Sequence, residues 1–139
     1  MRFTVATYNI HKGFSYFKRR VVIRELRDRL HGLSADLLFL QEVQGVHDRH
    51  AGKFIDWPVK PQHEYIADSV WQEVVYGKNA VYQHGHHGNA FLSRFPIVTH
   101  ENMDISAHAF ESRGLLHCEV NLGPRRPSLH CTRPVCAWP

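Results

Sequence analysis

Two residues have the types and positions that chemistry could use: Asn9, closing the run Phe3 to Asn9, and Glu42, closing the run Leu37 to Glu42. An amide offers both a donor and an acceptor without adding charge, which suits a site that must admit an anion. A single carboxylate can anchor a hard dication such as Mg²⁺, which keeps several waters of its own. Both residue types also have plain structural uses, asparagine as a turn residue and glutamate at a helix start. A second group is His84, His86 and His87 around Gly85, close enough for two imidazoles to share Zn²⁺ or Ni²⁺. No Cys or carboxylate cluster joins them at standard spacing, so a polar loop is a plainer reading than a His-rich metal binder. A third group is Lys12, Lys18, Arg19 and Arg20. It suits a nucleic-acid or phosphoinositide binder, or a merely solvated cluster, and no aromatic stacking platform accompanies it.

The elements around Asn9 and Glu42 say where they belong. Phe3, Val5 and Thr7 alternate with Thr4, Ala6 and Tyr8, the pattern of a strand facing two layers. Val22, Leu26, Leu30 and Leu33 recur at spacings of four, four and three, which predicts one face of a helix within Arg19 to His31. Gly32 is the natural residue just past its end, with Arg27, Arg29 and His31 in its last turns. Leu37 to Glu42 is a second, buried strand. A strand, a helix and a strand make a βαβ unit with a right-handed crossover, so the two strands run parallel. Their carboxyl ends share one sheet edge, where open α/β sheets bind ligands. Asn9 and Glu42, thirty-three positions apart, are therefore predicted to meet there.

Farther on, Val43 to Phe54 reads as a short helix and a loop, and Trp57, Pro58 and Pro61 mark a surface excursion. His63 to Ala67 reads as a short strand and Ser69 to Gly77 as an irregular connection, with Val81 in another strand. Gly88 to Ser93 is a strand, Arg94-Phe95-Pro96 a turn, and Ile97 to Met103 the return strand of a hairpin. Gly114 to Asn121 is a further strand. One more begins at Ser128 and is expected to stop near Arg133, because Pro134 cannot donate to a central ladder.

With 139 residues, 43% hydrophobic and 22% charged, the chain has the material for one globular domain and is neither disordered nor fibrous in composition. No run approaches the roughly 18–20 apolar residues of a membrane span. The start lacks the basic, apolar and small-residue order of a secretory leader. Cys118, Cys131 and Cys136 form no CxxC and no dense framework, so free thiols and a cytoplasmic location are expected. A net charge of +4 favours anionic partners mildly.

Four blocks in order carry a resemblance. Thr7-Tyr8-Asn9-Ile10, Gln41-Glu42-Val43, Gly88-Asn89-Ala90-Phe91-Leu92-Ser93-Arg94-Phe95-Pro96-Ile97 and Glu111-Ser112-Arg113-Gly114-Leu115-Leu116 resemble the endonuclease/exonuclease/phosphatase superfamily across residues 3 to about 121. The resemblance implies an α/β fold, a four-layer α/β sandwich of two sheets with helices outside. It implies metal-dependent hydrolysis of phosphate esters or phosphodiesters, with Mg²⁺ or Mn²⁺ as cofactor. Its substrates would be nucleic acid, inositol phosphate or a phospholipid head group. Carried over by position, Glu42 is the metal ligand, Asn9 is catalytic and holds or orients the scissile phosphate, and Asn89, Arg113 and His11 bind substrate. His11 falls where some relatives place an aspartate.

The same resemblance sets a limit at the carboxyl end. The family pattern goes on to a Gly-Asp-x-Asn segment and a closing Asp-His, and neither occurs in these 139 residues. Residues 1–121 are thus expected to be the amino-terminal part of the domain, truncated to roughly its first half, and 122–139 a divergent Pro-, Arg- and Cys-rich tail. A general base is worth roughly 10²–10⁴ in rate, so the chain is expected to be crippled as an enzyme, or a remnant or anion-binding fragment. Sheet surface left open would favour self-association.

Overall fold

Leu37, Leu38, Phe39 and Leu40 are all buried, and they divide by parity between two cores. Leu38 and Leu40 join Ile10, Ile23, Leu30, Ile66, Trp71 and Leu92 beneath the helices. Leu37 and Phe39 join Val75 and Phe91 against Leu116, Cys118, Val120 and Cys131 of a second sheet. A strand covered on both faces has no polar side to show, which is why this run reads as continuously apolar.

The computed structural model describes residues 2–15, 20–107, 112–124 and 128–137, with 133–137 described by backbone alone. Strand β1 (Val5–Asn9) leads through a 3₁₀ turn (His11–Gly13) to helix α1 (Ile23–Gly32) and strand β2 (Leu37–His47). Two short helices follow, α2 (Asp48–Lys53) and α3 (Gln62–Ala67), then strands β3 (Glu73–Tyr82), β4 (Gly85–Ser93), β5 (Ile97–Asp104), β6 (Ser112–Val120) and β7 (Leu129–Ala137). The sheets are ordered β1-β2-β4-β3 and β5-β6-β7. β1 and β2 are parallel, Asn9 standing opposite Gln41, as the βαβ reading requires. Helices α1 and α3 contribute to the core on the outer side of the four-stranded sheet. Helix, sheet and sheet thus stack in the mixed α/β arrangement expected of the fold class.

Several expectations are corrected. His63 to Ala67 lies in helix α3, not a strand, and buries Ile66 and Ala67. So short a segment cannot separate helix from strand by periodicity. Glu73 to Gly77 is not irregular but opens β3. The hairpin joins β3 to β4 through Gln83 and His84. Arg94 to Pro96 instead carries the chain from one sheet to the other, its turn fixed by Ser93 Oγ, which accepts from Phe95 N (2.9 Å) and donates to Phe95 O (2.8 Å). On α1, Ile23 and Leu30 are buried while Leu33 is 57% exposed, because Gly32 is the last helical residue and the left-handed position falls on Ser34 (φ +51°). β7 continues past Arg133 to Ala137; it is an edge strand, where proline is tolerated. Lys18 and Arg19 lie outside the described residues.

Candidate functional site

At the carboxyl edge of β1, Asn9 Nδ2 donates to Glu42 Oε1 at 3.0 Å. Asn9 Oδ1 accepts from His11 N at 2.9 Å, so both ends of the amide are fixed. The loop that makes this possible takes three left-handed residues in succession, His11 (φ +48°), Lys12 (φ +57°) and Gly13 (φ +77°). It is tied down by Gln62, whose Nε2 donates to Lys12 O (2.8 Å) and whose Oε1 accepts from Gln44 N (2.8 Å). Gln62 is buried and had no signal in the sequence beyond its place after Pro61.

Glu42 was expected to close β2; the strand instead runs on to His47, and Glu42 sits in a break of register between Leu40 and Val43. Its φ is +51°. A bulge of this kind lets a side chain be re-aimed while pairing resumes beyond it. The alternation of buried side chains is restored at Val43, which rejoins the helix-side core. Glu42 Oε2 is the oxygen left for other partners, with His11 Nδ1 3.8 Å away and the His11 side chain 66% exposed.

Asn89 stands in β4 opposite this bulge, between the pairs Leu40–Ala90 and Val43–Gly88. It is wholly buried, and neither Nδ2 nor Oδ1 has a hydrogen-bond partner among the described residues. Two positions back, His87 lies on the same face and is also buried, both ring nitrogens without a partner among the described residues. Burial first, and then the charge of Lys12, pushes His87 down to about 4, against the opposing pull of Glu42. Its ring is therefore neutral at neutral pH, and it belongs to the same electrostatic neighbourhood as Lys12 and Glu42. Orphaned polar atoms at such depth are rare and costly, about 1–3 kcal/mol each, which marks this wall as more than packing. In the sequence His87 is marked only by its place in the histidine cluster His84, His86 and His87.

That cluster does not converge. His86 points to the helix side, where its Nδ1 lies 2.9 Å from Tyr76 Oη, and His87 points to the opposite face as period-2 alternation demands. Among the described residues no group of three or more His, Cys, Asp or Glu side chains could hold a metal. Arg113 enters from the second sheet, its backbone N donating to Ser106 Oγ at 2.9 Å. The next residue, Gly114, abuts Asn79, whose Oδ1 an added Cβ would strike. Arg113 thus stands near the bulged stretch of β3, which pairs with the His87 and Gly88 end of β4. Cys118 and Cys131 are free thiols opposite each other on β6 and β7.

A family model described as endonuclease/exonuclease/phosphatase family matches residues 6–138. The chain belongs to that family. It is 49% identical over 118 residues to the uncharacterized protein YbhP of Escherichia coli K12, and equally to that of Shigella flexneri. The match covers 85% of this chain and 47% of the relative, so the chain spans about half the length of the curated relatives it matches. The endonuclease/exonuclease/phosphatase from Beutenbergia cavernae superposes with a TM-score of 0.73 at 19% identity, over 95% of this chain and 37% of that one. A family protein from Leptotrichia buccalis superposes with a TM-score of 0.64 at 12% identity, over 94% and 54%. These two similarities speak for the fold.

Proposed function

We propose that this chain carries the amino-terminal part of a divalent-metal-dependent phosphoesterase site, with Asn9 and Glu42 as its catalytic residues and Glu42 as the metal ligand. The observation that carries the reading is the Asn9–Glu42 contact at 3.0 Å, made where the parallel pairing of β1 with β2 ends and β2 bulges. The donor chemistry fits Mg²⁺ or Mn²⁺: Glu42 offers a hard carboxylate oxygen, and Mg²⁺ takes its remaining ligands from waters and phosphate oxygens. When bound there, the ion would neutralise charge on the phosphoryl oxygens and the leaving oxygen.

The chain's own residues have separate tasks. Asn9 fixes Glu42 through Oε1 and so leaves Oε2 for another partner. Lys12 and, when protonated, His11 place positive charge at the rim where an anionic ester would arrive. Asn89 and Arg113 are proposed to support the substrate from the sheet wall. In this reading residues 1–121 form the amino-terminal part of the domain, and the tail, 122–139, adds the edge strand β7. The substrate would be a phosphate ester of nucleic acid, an inositol phosphate or a phospholipid head group, and the location cytoplasmic.

The test compares this chain with a fusion that supplies the remaining length of the YbhP relative. Both meet bis(p-nitrophenyl) phosphate with Mg²⁺ or Mn²⁺, then with chelator. The fusion should hydrolyse it, lose activity to chelator, and fall by about 10²-fold or more on Glu42→Ala. The chain alone should be slower by roughly 10²–10⁴, for want of a general base. Turnover that survives both chelator and Glu42→Ala would refute the assignment.

A further inference from the structure

Against the loop that follows Asn9, at Lys12 and Phe14, the surface opens into a cavity of about 370 Å³. Its basic lining is Lys12, His47, His50 and Lys53, with no carboxylate among its described lining residues. Phe14, Phe54 and Tyr82 supply ring surface. The cavity is joined to the candidate site twice over: Lys12 lies in the loop that fixes Asn9, and Tyr82, whose ring centroid is 5.8 Å from that of His87, accepts a hydrogen bond from Gln44 Nε2.

Ring contacts around the cavity hold its shape. The His47 and His50 rings stack at 3.5 Å with 5° between planes. His47 Nδ1 accepts from His50 N at 3.2 Å, which puts the proton of a neutral His47 on Nε2 and leaves that nitrogen a donor. Phe14 packs edge-on against His50 (5.0 Å) and Phe54 (5.4 Å), and Lys53 Nζ stands 5.5 Å from the Phe54 ring centre. Donors and cations around ring surface, without an acid, select an anion carried on an apolar or flat body.

We propose that this cavity seats a second phosphate of the substrate, beyond the one presented to Asn9 and Glu42. The inference rests on the phosphoesterase reading for the word substrate, and on the cavity itself for the anion. It narrows the substrate class to esters with at least two phosphates, whether successive phosphates of a nucleic-acid chain or those of a phosphorylated inositol ring.

Trp57 provides a readout that needs no turnover, because its ring lies 4.8 Å from His50 and 5.6 Å from Phe14. Pyrophosphate titrated into this chain in the presence of chelator should change Trp57 emission saturably, a signal that Trp57→Phe removes. Lys53→Glu, at an exposed position, should weaken binding about tenfold or more, and His50→Gln should weaken it too, with far-UV circular dichroism confirming the fold of each. Glu42→Gln should leave it in place. A 5′-phosphorylated dinucleotide and an inositol bisphosphate, run as separate arms, decide between the two sources. No saturable signal in the folded wild-type chain, or one that both Lys53→Glu and His50→Gln leave intact, would overturn the proposal. Binding lost in Glu42→Gln but kept in Lys53→Glu would also overturn it, by moving the anion to the candidate metal position. Hydrolysis by the completed fusion is scored apart: pyrophosphate binding without hydrolysis would fail the phosphoesterase reading, and hydrolysis without such binding would fail only the second-phosphate seat.

Discussion

In the four-stranded sheet, Ala90, Phe91, Leu92 and Ser93 of β4 are buried in succession, because helices lie on one side and the other sheet on the opposite side. In the three-stranded sheet, β6 alternates, with Gly114, Leu116, Cys118 and Val120 buried between half-exposed neighbours, and most of β5 is exposed. The candidate site belongs to the first kind. Glu42 and Asn89 are held on the inner strands β2 and β4, so the bulge at Glu42 stays in one place, while Asn9 comes from the edge strand β1, whose side chains are mostly exposed.

The largest test of that contrast is a pair of truncations. Phe91 is fully buried between the sheets with its ring centroid 4.6 Å from that of Phe39. Phe91→Ala should lower unfolding free energy by about 3–5 kcal/mol, read from urea denaturation. Val98 on β5 is 59% exposed, and Val98→Ala should change it by no more than about 0.5 kcal/mol. Similar losses at the two positions would show that the sheets are not covered differently.

A smaller effect is expected from His63, which is buried under the helix-side face of the same sheet and stacks on Tyr76 at 4.5 Å. Burial, with a lesser push from His86, lowers its pKa from 6.5 to about 4. The unfolded chain therefore takes up a proton near pH 6.5 while the folded chain refuses it until about pH 4. Stability contributed by the neutral ring is present above pH 6.5 and is lost as pH falls through that window. His63 alone should account for about 2 kcal/mol between roughly pH 7 and pH 5. His63→Phe, which keeps a ring on Tyr76, should flatten the pH dependence of urea midpoints by that amount. An unchanged slope would place the protonation elsewhere.

The parts legible in the sequence were those in which one residue reports its own environment. The parallel pair β1–β2, the strands around Phe91 and Leu116, and the meeting of Asn9 with Glu42 all follow from apolar runs, alternation and the βαβ rule. What stayed hidden depended on partners far along the chain. Helix α3 is set by its burial against β2 and α1, not by a period its six residues could display. Gln62 bridges two segments, Lys12 and Gln44, that only the fold brings together. The family resemblance marks Asn89, but its burial beside His87 without hydrogen-bond partners among the described residues emerges only when β4 is placed opposite the bulge.

The finest distinction concerns Glu42 itself. A non-glycine residue at φ +51° carries a steric cost of about 1–2 kcal/mol that glycine does not. Both Glu42→Ala and Glu42→Gly delete the carboxylate and the bond from Asn9, so that loss cancels when the two variants are compared. In an ordinary strand position alanine would be the more stable of the two, because glycine gives up more chain entropy on folding. At position 42 the order should invert, with Glu42→Gly more stable than Glu42→Ala by about 1 kcal/mol in urea denaturation. Inversion would mean that the chain holds a carboxylate in a conformation chosen for where it points and not for the strand's own stability. The ordinary order would mean that Glu42 adopts unstrained backbone in solution, and the bulge would lose its claim to aim the site.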